Sequence, residues 1–242
     1  MPQRFTVVTG GGRGLGAAIS LRLAAEGRDV ILSYLSDADS AHGVAQQIRD
    51  LNQRCEVLQM DCTDEGSVAT FFAGVQEIGQ MDGLVNNAGS AVAVGALEEN
   101  DLSAISADLA TNLFGPIACT KFAIPLLREA GGGAIVNISS AAAQLGGAGT
   151  YVHYSAAKAG VEALTVGLAK ELAPHNIRVN TVSPGTLWTD FHQDPERPEK
   201  VAAIIPMGRA GQPEEIAGAV AWLLSDDAAY ATGSVIKVSG GL

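Results

Sequence analysis

Cysteine is scarce in this chain: Cys55, Cys62 and Cys119 are the only three in 242 residues. An odd number with no CxxC or Cys/His spacing offers neither a disulfide framework nor a zinc site, so inert buried thiols and no metal are expected. Positive charge is short as well. Fifteen Lys and Arg stand against twenty-six Asp and Glu, a net charge of −11, which excludes a general nucleic-acid or anionic-membrane surface. Any anion must be held locally. Long hydrophobic runs are missing: no window approaches eighteen uninterrupted apolar residues, and the N-terminal MPQRFTVVTGGGRG holds only a short apolar run. Neither a membrane span nor a signal peptide is expected, which makes a cytoplasmic location the default. Aromatic residues are also few, at 5%.

What is abundant is glycine, 29 residues, well above the typical ~7%. Hydrophobic residues at 47% and charged residues at 17% are globular values, and the length suits one domain over residues 1–242. Short β-branched runs alternate with helical stretches from end to end. Strands are predicted at Phe5–Thr9, Val30–Tyr34, Cys55–Gln59, Gly83–Asn86, Ala134–Ile138, Ile177–Val182 and Ser234–Val238. Several are apolar on both faces, as parallel strands covered on two sides require. Between them, Val68, Phe71, Phe72, Val75 and Ile78 recur at three and four, predicting a helix over 64–79. Pro213, Glu214 and Glu215 mark the start of another. The alternation predicts the α/β class, a doubly wound parallel sheet of Rossmann type.

Directly after the first strand comes Gly10-Gly11-Gly12-Arg13-Gly14-Leu15-Gly16, and then a helical stretch. Glycines there allow a tight turn and let backbone approach a pyrophosphate, while the helix N-terminus supplies N–H donors and positive potential. A purely structural glycine turn is the alternative.

Thr9–Gly16 resembles the TGxxxGxG element of the short-chain dehydrogenase/reductase family. The resemblance continues through Asn86-Asn87-Ala88-Gly89, Asn112, Ser139-Ser140, Tyr154-Ser155-Ala156-Ala157-Lys158, Pro184-Gly185 and Tyr230-Ala231-Thr232-Gly233, over essentially the whole chain. It implies a nicotinamide dinucleotide lying along Gly10, Gly12, Arg13, Gly14, Leu15, Gly16, Asn87, Ala88, Gly89, Pro184, Gly185, Leu187 and Thr189. Tyr154 and Lys158 would meet it too, and Asp61 and Cys62 match the adenine-contact position. Where an acid at the end of the second strand would accept from a ribose 2′-hydroxyl, this chain has Tyr34, and Asp37 is expected too far along. Arg13 is the basic residue that NADP-preferring members carry. NADP(H) is therefore expected over NAD(H), with Arg13, Ser33, Tyr34 and Ser36 near the phosphate, where a charge-assisted contact is worth roughly 1.5–3 kcal/mol.

Tyr154 and Lys158 are four apart in a helical stretch and so share a face. A cation at about 5 Å, at an effective dielectric of ~20, gives about 3 kcal/mol, enough to lower the pKa of a phenol by roughly two. Tyr154 is then the expected proton donor in carbonyl reduction and acceptor in alcohol oxidation. Ser140, after the fifth strand, is a candidate donor to the substrate carbonyl, ahead of Ser139. Asn112 matches the family position whose backbone holds a water linked to the lysine. The separation of Ser140 and Tyr154 is one residue wider than the family's usual one, and the glycine-rich 146–149 stretch is expected to absorb it. Tyr151 is rejected as the acid because Ser155, not lysine, lies four residues on. His153 is expected to be a loop or pocket-wall residue without a chemical role. Trp188 either caps the pocket or packs in the core.

These features point to an NADPH-dependent reductase of a ketone or 3-oxo group. The C-terminal segment resembles the 3-oxoacyl-carrier-protein reductases, but the acidic chain offers an acidic carrier mainly Arg128 and His175. Sugar or polyol dehydrogenases come third, and a non-catalytic nucleotide-sensing protein is the remote alternative. The resemblance also implies a homotetramer acting on a small-molecule carbonyl or alcohol.

Overall fold

Seven β-branched runs become seven parallel strands in one sheet, in the order β3-β2-β1-β4-β5-β6-β7. They are β1 (Arg4–Val8), β2 (Asp29–Tyr34), β3 (Cys55–Gln59), β4 (Gln80–Asn86), β5 (Gly133–Ile138), β6 (Ile177–Pro184) and β7 (Val235–Val238). This computed structural model describes residues 4–242. The main departures from the expected bounds are β4, which starts three residues earlier, and β6, which runs on to Pro184. The chain is thus a single α/β domain of the doubly wound class.

The two apolar faces of the strands account for two cores. On β1, Val8 joins Ile19 and Leu23 of α1 (Gly14–Ala25), Val44 and Ile48 of α2 (Ala38–Asp50), and Ile216 and Val220 of α9 (Pro213–Leu224) on one face. Phe5 and Val7 join Val68, Phe71, Phe72 and Val75 of α3 (Glu65–Ile78) on the other. Alternation along a strand sends successive side chains to opposite layers. The same second layer holds α5 (Gly115–Glu129) and α7 (Val152–Leu172), while α4 (Leu102–Leu109), α6 (Ala142–Leu145) and α8 (Arg197–Ala202) border the ends of the strands. Helix α9 opens on Pro213 with Glu214 and Glu215 in its first turn, as expected, and Glu215 closes a capping box with Gln212.

Helices α4 and α5 are joined without a break by a π-helical turn, Ala110–Phe114. The joined helix, Leu102–Glu129, is long and apolar enough to cross a membrane by composition alone. Its inner face, with Ala118, Cys119, Ala123 and Leu127, is buried against the sheet. All three cysteines are free and buried. Burial pushes the Cys55 thiol up to about 12 and Cys62 up to about 11, so neither is a thiolate at neutral pH.

The strand order reverses between β1 and β4, each of which has its sequence neighbours on the far side. Above their carboxyl ends opens the crevice in which ligands of this class bind.

Candidate active site

The glycine turn lies at that crevice and is fixed by two neighbours. Ser33 receives the Gly10 N–H on its hydroxyl at 3.1 Å, and its carbonyl receives the Gly11 N–H at 3.0 Å. From the end of β4, Asn87 Nδ2 donates to the carbonyls of Thr9 (2.9 Å) and Gly10 (3.2 Å). The Thr9 hydroxyl in turn accepts from the N–H groups of Asn87 and Ala88, both at 3.0 Å. Bare backbone is needed for this packing. A Cβ on Gly12 would meet Ala41 Cα at 2.8 Å, and one on Gly16 would run into the Gly10 carbonyl. Gly14, at φ +51°, is different: a Cβ there would meet only Thr189, at 3.8 Å. Thr189 thus stands at contact distance from Gly14, beside the first turn of α1, where Gly14, Leu15 and Gly16 have no carbonyl one turn earlier to bond.

Around this turn the expected residues divide. Arg13 and Ser36 are exposed and Tyr34 is half-buried at the strand end. Ser33, expected beside a phosphate, is buried and spent on Gly10. Asp37, expected too far along, caps α2 by accepting from Ser40 N–H at 3.0 Å. That bond chiefly holds its carboxyl below the usual range, and Arg13 is near enough to add attraction. Asp61 turns its carboxylate back onto Thr63 N–H at 2.8 Å. Cys62 points into the core, where a Cβ on Gly115 would come within 2.9 Å of its sulfur. Ala88 and Gly89 follow β4, with Lys158 Nζ 3.8 Å from where a Gly89 Cβ would be. Pro184 ends β6, and Gly185 lies so close to Ser239 that a Cβ would meet its Cα at 2.9 Å. Leu187 is buried and bridges to Gly211. Trp188 is 44% exposed, which removes the core-packing alternative.

The catalytic candidates meet at the carboxyl end of β5 and the start of α7. Tyr154 and Lys158 share one face of α7, with Nζ 5.6 Å from the phenol ring centroid and donating to the Ile138 carbonyl at 3.0 Å. The Ser140 hydroxyl lies close enough to the Tyr154 phenol to favour its ionised form, while accepting from Ala142 N–H at 3.2 Å. Ser139 is used otherwise, donating toward Lys158 O at 3.1 Å and Glu162 Oε1 at 2.9 Å and so anchoring α7. Between serine and tyrosine, Gly146, Gly147 and Gly149 adopt φ of +80°, +59° and +68°, left-handed turns that Cβ-bearing residues avoid.

One electrostatic expectation is reversed. Burial, not the ammonium, dominates Tyr154: desolvation drives its pKa up, with only the Ser140 hydroxyl opposing it. Lys158, 3% exposed, is itself lowered to about 8 by burial. Each charged form loses its hydration, and at this depth that outweighs a cation placed over the ring rather than beside the hydroxyl. Burial therefore favours the neutral phenol.

A buried carboxylate that the motifs did not reveal ties these parts together. Asp108 is 0% exposed and accepts from Ser90 Oγ (2.8 Å), Val92 N–H (2.9 Å) and Ala93 N–H (2.9 Å). His153 Nε2, in the first turn of α7 beside Tyr154, lies 3.1 Å from Oδ2, the oxygen that Ala93 N–H also reaches. Burial raises the Asp108 pKa, but these four donors together bring it below the ordinary value. Asn112, inside the π-helical turn one helical step on, donates to the carbonyls of Ser90 (2.7 Å) and Asp108 (2.8 Å). Asp108, Asn112 and His153 thus clamp the 90–93 loop to the helix that carries Tyr154. His153 is therefore more than a wall residue: it has a definite partner. The only sequence signal was a carboxylate on the apolar side of an amphipathic helix, four residues before Asn112.

The family described as enoyl-(acyl carrier protein) reductase matches residues 10–242. Among curated proteins, the uncharacterized oxidoreductase YgfF of Escherichia coli (strain K12) is 41% identical over 98% of this chain and 99% of its own. The 3-oxoacyl-[acyl-carrier-protein] reductase FabG of Aggregatibacter actinomycetemcomitans is 39% identical, covering 98% of each. Cis-4-hydroxycyclohexanecarboxylate dehydrogenase of Sinomonas cyclohexanicum is also 39% identical, over 99% and 96%. A solved short-chain dehydrogenase/reductase of Serratia marcescens, in a doubly substituted form, superposes with a TM-score of 0.92 at 33% identity, over 99% of this chain and 97% of that one. The chain belongs to the short-chain dehydrogenase/reductase family. As a family member it is an NAD(P)-dependent oxidoreductase acting on carbonyl or alcohol substrates. The residues present fit a nicotinamide dinucleotide: the unbonded N–H groups of the first turn of α1 suit a pyrophosphate, and the turn before them packs so closely that Gly12 and Gly16 have no space for a Cβ.

Proposed function

We propose that this short-chain dehydrogenase/reductase is an NADPH-dependent reductase of ketone or 3-oxo groups, with Tyr154 as the proton donor. The observation that carries this reading is the buried Tyr154 phenol at the end of β5, with the Lys158 ammonium 5.6 Å from its ring centroid and Ser140 beside it. When bound, the reduced nicotinamide supplies the hydride. Ser140 donates a hydrogen bond to the substrate carbonyl oxygen, polarising it. Tyr154 gives its proton to that oxygen as the alcohol forms, and the phenolate left behind is stabilised by the Lys158 ammonium. Lys158 also holds the nicotinamide ribose hydroxyls, and Asn112 keeps the lysine's surroundings in register through its hold on Ser90 and Asp108. The reverse direction runs through the same atoms. Tyr154→Phe should lower kcat for ketone reduction by about 10³-fold, within the range of general-acid effects, read as NADPH absorbance. A variant within tenfold of wild type sinks the assignment.

Preference for NADP(H) follows from exposed Arg13 at the glycine turn and from Tyr34 where an acid would repel the 2′-phosphate. Arg13→Ala should reduce the NADPH/NADH ratio of kcat/KM by about tenfold or more; an unchanged ratio contradicts the preference. Asp37, within reach of Arg13, tempers that preference rather than creating one for NADH. The carrier-protein reading keeps second place: a relative equal in identity to the reductase FabG is named for a free alicyclic hydroxy acid, and the net charge of −11 disfavours an acidic carrier. A homotetramer fits the half-exposed Phe114 and Ile117 on the long helix, and a cytoplasmic setting fits the free thiols.

A further inference from the structure

The segment after β6 crosses the mouth of the site. Phe191 stands 6.0 Å from the Tyr154 ring, and Gln193 Nε2 donates to the carbonyls of Ala91 and Val92 at 3.2 and 3.0 Å. Arg197 Nη2 donates to the Tyr151 hydroxyl at 2.9 Å, with its guanidinium 5.4 Å from that ring's centroid. Tyr151 in turn meets Tyr154 edge-on at 5.1 Å. Arg197 is therefore one phenol removed from the proposed proton donor.

Asp194 and Glu196 of this segment bond to Lys200, and Arg197 acts on Asp194 only from beyond ion-pair distance. Lys200 takes both Asp194 (2.9 Å) and Glu196 (3.1 Å), and no carboxylate lies within ion-pair distance of Arg197 among the described residues. Its Nε is buried with no acceptor. Nearby, Asp108 is spent on His153 and the 90–93 loop, and Lys158 on Ile138. A guanidinium that gives only one of its N–H groups to the protein is costly to hold here and leaves Nη1 open to an acceptor from solution.

We propose that Arg197, braced by Tyr151, binds a carboxylate on the substrate, so that the carbonyl compounds reduced here are oxo acids and the alcohols oxidised are hydroxy acids. A carboxylate matches the planar guanidinium fork at its Nη1 and Nη2 edge, since Nη1 has no partner and, unlike Nε, is not sealed from solvent. A single positive charge suits a monoanion. A phosphate dianion would find no second free cation in the segment and would approach Asp194 and Glu196. This substrate class rests on the reading of Tyr154 as the proton donor.

The test uses matched pairs, 4-oxopentanoate and 5-oxohexanoate with their methyl esters, together with aryl oxo acids and their esters. In the wild type kcat/KM should favour the acid of at least one pair by about 30-fold, mostly through KM. In Arg197→Met that ratio should fall to about one, and in Arg197→Lys a few-fold preference should remain because a point charge survives. Calorimetry of the corresponding hydroxy acids and esters on the NADP⁺ complex reads the same difference without turnover. A wild type that distinguishes acid from ester in neither assay overturns the proposal, as does a preference that survives Arg197→Met. Tyr154→Phe separates the two ideas: it should abolish turnover of acids and esters alike while leaving the calorimetric acid preference. If turnover survives that change, the proton-donor reading falls; if only the acid preference is missing, the carboxylate site falls.

Discussion

The two halves of the site are built from different materials. On the cofactor side, from Gly10 to Gly16, nearly everything is backbone: bare glycines, first-turn N–H groups, and Asn87 and Ser33 holding carbonyls and N–H groups in place. On the substrate side the frame is made of side chains, with Asp108, Asn112, His153 and Tyr151 reaching between the 90–93 loop, the long helix and α7. A backbone cradle suits a constant ligand and is specified by short-range glycine spacing. A side-chain frame can be re-cut for a new substrate by a few substitutions, at the cost of burying charge that must be fully satisfied.

Three experiments press on this contrast. The largest effect is expected from Asp108→Ala, which strips the acceptor from Ser90, Val92, Ala93 and His153 at once. Loss of a buried, multiply bonded carboxylate should cost about 3–5 kcal/mol, or roughly 10 °C in Tm for a chain of this size. Turnover should collapse with it, yet NADP⁺ affinity at low temperature should stay within about threefold of wild type. A matching loss of cofactor affinity would dissolve the division between the halves.

The second concerns Lys158, whose pKa is about 8 in the native state against an ordinary 10.5. Below pH 8 the amine is charged in both folded and unfolded chains, and its burial opposes folding. Between pH 8 and 10.5 the native state has released the proton while the unfolded state still binds it, so stability contributed at this position rises with pH, by up to about 3 kcal/mol. Lys158→Met lacks this gain. The Tm of wild type minus that of the variant, measured without cofactor, should therefore increase from about pH 7 to about pH 10. A flat difference would mean that Lys158 is better hydrated than its burial implies.

The smallest effect on the fold belongs to Gly14→Ala. Its Cβ would meet Thr189 at an ordinary contact distance, so the folded protein should lose only about 1 kcal/mol from the φ of +51°. The same methyl would stand at the helix N-terminus assigned to pyrophosphate, and NADP⁺ affinity in isothermal titration should fall by about tenfold or more. Unchanged affinity would move the cofactor away from this turn.

Much of the fold could be read from residue order because its signals are local. All seven strands fall where β-branched runs lie, and α3 follows the spacing of Val68, Phe71, Phe72 and Val75. Strand ends were less legible, since β4 begins and β6 ends according to which neighbours extend the ladder. The site was legible where it is a motif, as with Tyr154 and Lys158 one helical turn apart. It was not where one residue has two plausible partners: Ser33 reads equally as a phosphate neighbour or as a support for Gly10, and His153 as an idle wall or as a partner of Asp108.

Spacing by itself therefore determined the doubly wound class, the glycine cradle and the pairing of phenol with ammonium, because each depends on residues a few positions apart. Only the tertiary structure decided that Ser139 is bonded to Glu162 and α7, that burial favours the neutral Tyr154 phenol, that Asp108 clamps the 90–93 loop and that Arg197 lies beside Tyr151 with no carboxylate within ion-pair distance. These depend on desolvation and on contacts between segments far apart in the chain, where the cost of burying a charge is set by everything packed around it.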